Sequence, residues 1–70
     1  MGNAEEYERK ARDARILEGV ALRTRRQRAG LTLRVFARAL GLSYGSLLNM
    51  ERGKKPITDE LLAIVNEVLG

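Results

Sequence analysis

Three glycines, Gly30, Gly41 and Gly53, stand between short apolar runs and cut the second half of the chain into brief segments. Nothing else in the sequence constrains the fold as much. Val, Ile and Thr never alternate over a strand-length window, so each segment reads as helix. Each glycine suits the left-handed residue just past a helix C-terminus. The starts are equally legible. Thr32, Ser43 and Thr58 each offer a hydroxyl that can cap a helix N-terminus. The expected helices therefore run from Thr32 to Leu40, from Tyr44 to Arg52, and onward from about Asp59. Phe36, Ala37 and Leu40 share one face, and Leu47 and Met50 point inward. Leu61, Leu62, Ile64, Val65, Val68 and Leu69 form the apolar side of the last helix. Lys54-Lys55-Pro56 is a loop. The fold class is all-α, a small bundle of four to five helices.

Upstream, Asn3 with Glu6 three residues later matches a capping box, so a first helix begins at Ala4. Glu5–Arg9 and Glu8–Arg12 stand at i,i+4 in the favourable order. Tyr7, Ala11, Ala14, Leu17 and Ala21 recur at three- and four-residue steps and give a thin stripe. Either this helix continues to about Arg28, with Gly19 costing up to about 1 kcal/mol, or Gly19 divides two helices. Residues 1–19 are an N-terminal helical extension and residues 20–70 the main unit of one compact domain.

Charge is unevenly spread. Residues 1–19 carry four basic and five acidic side chains, residues 20–55 nine basic and one acidic, and residues 56–70 three acidic alone, giving −1, +8 and −3. A basic middle with mildly acidic flanks points to a polyanionic partner, where a merely solvated face is the plain alternative. The chain has neither cysteine nor histidine. Disulfides, thiolate chemistry and imidazole bases are thereby excluded, as are the usual zinc ligand sets. No cofactor, no metal and no catalytic residues are expected, and the chain is not read as an enzyme, because Glu51 is the only acid in the basic block. Apolar runs are too short to span a membrane, and Glu5, Glu6 and Glu8 lie where a signal core would be. The expected location is cytoplasmic and nucleoid-associated.

Two short helices joined by Gly41-Leu42-Ser43 have the proportions of a helix-turn-helix, with Leu42 beneath the turn. The segment 44–52 is then the recognition helix, two turns being enough to enter a major groove. Ala29-Gly30-Leu31-Thr32, Phe36-Ala37, Leu40-Gly41-Leu42-Ser43, Leu47, Met50-Glu51-Arg52-Gly53 and Leu61-Leu62 fall in register together. Over residues 20–70 the chain resembles the lambda repressor and Cro-like helix-turn-helix domain, the xenobiotic-response-element class of regulators.

The resemblance implies roles residue by residue. Tyr44, Gly45, Leu48 and Asn49 stand where the family faces base edges. Only Asn49 has the side chain for bidentate readout, typically of adenine. Thr32, Leu33, Arg34, Ser43, Ser46, Arg52, Lys54 and Lys55 stand at DNA-backbone positions, with Arg38 a further cation near them. Arg26 and Glu51 match an internal ion pair. The function implied is a sequence-specific regulator of transcription, a repressor binding double-stranded DNA as a homodimer on a palindromic operator.

Several residues depart from the family pattern. Leu33 and Val35 replace polar residues, Gly45 and Leu48 leave the reading helix poor in hydrogen-bonding groups, and Arg25 stands where a core leucine is common. These keep open an alternative: an antitoxin-like or regulatory interaction module that docks a protein partner through Leu33, Val35 and Leu48. The added helix at residues 4–16 either covers its own domain, which its charge-rich outer face favours, or supplies a dimer contact through Tyr7, Ala11 and Ala14. Single-stranded RNA is disfavoured, since Tyr44 is the only aromatic on the proposed surface.

Overall fold

The computed structural model describes residues 4–70, so the Asn3–Glu6 capping box lies outside the described residues. Four helices follow one another: α1 (Ala4–Arg28), α2 (Leu33–Leu40), α3 (Tyr44–Glu51) and α4 (Asp59–Leu69). The capping expectations are met at three starts. Thr32 accepts from the Val35 amide, Ser43 from the Ser46 amide and Thr58 from the Leu61 amide, at 3.1–3.2 Å. At the stops, Gly41 takes φ +72° and Gly53 φ +76°. In both places the next amide reaches back five residues, Leu42 to the Ala37 carbonyl and Lys54 to the Asn49 carbonyl, each at 2.8 Å. Only a residue without Cβ enters that left-handed turn cheaply. Arg52 is the cap after α3 rather than its last helical residue.

The core consists of Leu22 from α1, Phe36, Ala37 and Leu40 from α2, Leu47 and Met50 from α3, and Leu61 and Val65 from α4. Leu42 packs against it from the turn, and Leu31, Leu33, Ile57 and Leu69 close its edges. The apolar side of α4 is narrower than its sequence suggests. Leu62, Ile64 and Val68 remain partly exposed. Apolar residues at six of its eleven positions cover more of the helix wheel than one neighbouring layer can bury.

Helix α1 runs unbroken through Gly19, and the reason is contact rather than propensity. A Cβ at Gly19 would lie 2.4 Å from the Met50 carbonyl oxygen and 2.6 Å from that of Glu51. One turn away, a Cβ at Gly53 would meet Ile16 Cα at 2.7 Å. Two bare backbone positions thus let α1 rest directly on the C-terminal end of α3. Beyond Ile16 the helix leaves the bundle, and the described residues measure 45 × 20 × 20 Å. The expectation that the first helix packs on its own domain is therefore overturned: residues 4–14 are exposed, with Tyr7 70% accessible. The bundle ends at the Ile16–Gly53 crossing, so no layer lies under the arm. Its i,i+4 ion pair is Glu6–Lys10 at 3.5 Å, in place of Glu5–Arg9 and Glu8–Arg12. Solvated pairs of the same spacing differ too little in energy for sequence to choose among them. Among the described residues no helix is long and apolar enough to cross a membrane.

Candidate nucleic-acid interface

Helix α3 is held from behind and bare in front. Leu47, fully buried, and Met50 anchor its inner side, and Glu51 joins them as a buried acid. Arg26, in the last turn of α1, answers that acid. Its Nε donates to Glu51 Oε2 at 2.8 Å and its Nη2 to Oε1 at 3.2 Å. Its Nη1 donates to the Leu31 carbonyl at 2.8 Å. One guanidinium therefore ties the ends of α1 and α3 to the loop that starts α2. A carboxylate at a helix C-terminus opposes the helix dipole, and the two-pronged arginine offsets this. The pair is buried, with Arg26 at the floor of the hollow that Thr32, Leu33, Arg34 and Tyr44 surround.

The outer side of α3 presents Tyr44, Gly45 and Asn49, all exposed. Leu48, grouped with them by resemblance, is only partly accessible. Arg34 on α2 lies against this face at Tyr44 and Lys55 reaches it at Ser46, while Arg52 and Lys54, directly after α3, and Arg38 on α2 are exposed as well. Thr32 and Ser43 are exposed as well, but their hydroxyl oxygens already serve as caps. Ser46 is half-buried and its Oγ accepts from Lys55 Nζ at 3.4 Å, which folds the Lys54-Lys55 loop back onto the first turn of α3. Leu33 is half-buried against the core. Its position at the start of α2 borders the hollow between Thr32, Arg34 and Tyr44, but its side chain offers no polar contact there.

One contact had no signal in the sequence. The Arg34 guanidinium carbon lies 5.3 Å from the Tyr44 ring centroid, a cation–π geometry that spans the turn. At an exposed site it is worth roughly 0.5–1 kcal/mol. It fixes the ring at the start of α3 and holds a cation beside it. A ten-residue separation across a sharp turn belongs to no helical spacing rule, so only the folded turn brings the two together.

Of the three apolar residues that pointed to a protein-docking surface, Leu33 and Leu48 are partly buried and only Val35, at 52%, is well exposed. On the far side of the bundle, Arg25 is partly buried where the family resemblance implied core leucine. It lines a groove of about 290 Å³ with Glu18, Ala21, Leu22, Ile57, Asp59 and Leu62. A charged head that seeks water cannot close this gap between α1 and α4.

No curated protein and no solved structure matches the chain. A family model described as a helix-turn-helix domain matches residues 19–70 and supports DNA as the partner. With two capped helices about a glycine turn, the second bare on its outer side, and this match over most of its length, the chain belongs to the helix-turn-helix domain family.

Proposed function

We propose that the protein is a sequence-specific transcriptional regulator of the lambda repressor and Cro-like class. It acts as a repressor, in the cytoplasm and on the nucleoid, and binds a near-palindromic operator as a homodimer. The observation that carries this reading is the outer face of α3. Tyr44, Gly45 and Asn49 are solvent-facing, with Arg34 stacked on Tyr44, Lys55 linked to Ser46 and exposed Arg52 and Lys54 following the helix directly, which suits a helix laid into a major groove between two phosphate rows. Asn49 reads a base edge, Tyr44 contacts a thymine methyl or a phosphate, and Gly45 lets the groove floor approach. The cations and the N-terminal amides of α2 and α3, at Thr32 and Ser43, meet the backbone. Residues 20–70 carry the surface that meets DNA, and no catalysis is assigned. DNA rather than protein is taken as the partner of this face, because only Val35 of the three docking residues is well exposed.

Selection of DNA from a random pool, followed by binding of the winner at two salt concentrations, tests the proposal. The affinity should fall with a logarithmic slope of about −0.9 per phosphate contacted. Asn49→Ala should cost about 1–3 kcal/mol on the selected site and nothing on random DNA, while Lys54→Ala weakens both alike. Equal effects of the two substitutions on both DNAs remove the base-reading assignment.

A further inference from the structure

We propose that α1 is the dimerisation element: two copies pair their α1 helices antiparallel, and the projecting arm of each lies along the groove between α1 and α4 of the other. This deepens the dimeric part of the proposed function, yet its test needs no DNA.

Three observations converge on it. Among the described residues nothing packs against the arm, although a lone helical segment of that length is marginal in water and gains most of its stability from a packed face. Along it, Tyr7, Ala11 and Ala14 form a seam, and the same side of α1 continues through Glu18, Ala21 and Arg25 into the groove. At the seam edge Leu17 is 69% accessible. Small residues at its middle let two helix axes approach closely.

The spacing fits a second copy. When two such helices cross symmetrically at Ala14, Tyr7 lies seven residues to one side and Ala21 seven to the other. Tyr7 of one copy then sits over Ala21, Leu22 and Leu62 of the second, and the open groove receives an aromatic ring. Charge fixes the direction. Residues 4–8 carry three acids and no base, whereas residues 23–28 carry four arginines and no acid. Arg26 is already paired internally. Antiparallel pairing sets Lys10 level with Glu18 of the second copy and brings the acidic first turn of each arm, with Glu6 nearest the seam, toward the arginine-rich stretch around Arg25 of the other. Parallel pairing sets like charge on like, which repels.

Because the chain has no cysteine, introduced thiols report on this geometry without background. In one chain, Leu62 lies against residues 18–25 of α1, at least eleven residues and about 16 Å along the helix from Tyr7. The double variant Tyr7→Cys/Leu62→Cys can therefore close a disulfide only between copies. The single variant Tyr7→Cys serves as the directional control. Antiparallel pairing holds its two thiols about 21 Å apart, beyond disulfide reach, whereas parallel pairing juxtaposes them. The expected results are a dimer in sedimentation of the DNA-free protein, a covalent dimer from the oxidised double variant at low micromolar concentration, and none from the single variant. Ala14→Arg should weaken the dimer at least tenfold with an unchanged helical circular dichroism spectrum. Overturning results are a monomer at every concentration, cross-linking of the single variant, or a dimer whose double variant fails to cross-link. A monomer that still selects DNA removes this inference and the homodimer with it, and leaves base reading by α3 standing.

Discussion

Gly19→Ala is the substitution for which helix propensity and packing give opposite signs. In the middle of a helix, alanine in place of glycine usually stabilises by about 0.5–1 kcal/mol. Here the new methyl lands 2.4 Å from the Met50 carbonyl oxygen, about 1 Å short of ordinary contact. The obstruction is backbone, which cannot swing aside as a side-chain tip can. Relief requires α1 and α3 to separate, and that stretches the 2.8 Å bond between Arg26 and Glu51 as well. Overpacking of this kind costs about 1–3 kcal/mol before any loss at the ion pair. A net loss of about 1–3 kcal/mol is therefore expected, and in a domain of this size each kcal/mol moves Tm by about 4–8 °C. Gly45→Ala is the internal control. Gly45 is also helical, its φ is not positive, and nothing lies within 4 Å of an added Cβ. That variant should gain about 0.5 kcal/mol from propensity alone. Thermal and urea unfolding followed by circular dichroism measures both. If Gly19→Ala is as stable as the parent, the close crossing of α1 on α3 is wrong.

Other substitutions test other parts of the scaffold. Glu51→Ala leaves a buried guanidinium without its acid and should cost about 3–5 kcal/mol, enough to unfold much of a domain this small at 25 °C. Arg26→Met/Glu51→Leu should recover most of that loss in the same unfolding assay, since no lone charge is left inside. Ser43→Ala removes the α3 cap and should cost about 1 kcal/mol in urea unfolding. Ser43→Asp should keep the cap and the stability, while the added negative charge lowers DNA affinity in a titration. Arg34→Ala should lower stability by no more than about 1 kcal/mol through loss of the Tyr44 stack, and DNA titration should show a shallower salt slope.

Local rules reached most of the bundle. The hydroxyl caps at Thr32, Ser43 and Thr58 and the left-handed glycines at 41 and 53 are decided within five residues of chain, and each appears where the sequence puts it. The inward residues of α2 and α3 follow from helical period alone. What escaped depends on relative placement. Whether Gly19 breaks a helix is decided by the Met50 and Glu51 carbonyls, about thirty residues away. Whether Leu62 or Val65 is buried depends on where α4 meets α2, and an apolar face as wide as that of α4 does not say. The exposed arm was misjudged because its charges looked like an outer face, although no inner surface extends beneath it. At the interface, the family resemblance placed Tyr44 and Asn49 on the outer side, and both are exposed. The half-buried Leu48, the Arg34–Tyr44 stack and the Lys55–Ser46 link were not legible, since each arises from the turn or from the returning loop.

Fixing α3 in place falls to one set of side chains, and meeting the outside world falls to another. Leu47, Met50 and Glu51 grip it from within, Ser43 and Gly53 close its ends, and none of these overlaps with Tyr44, Gly45 or Asn49. If those three positions choose the target, as proposed, target choice is uncoupled from foldedness: new letters can be written there on an unaltered frame. The same division means that duplicated copies of such a chain are free to diverge in preference through a handful of codon changes, none of which risks collapse of the bundle.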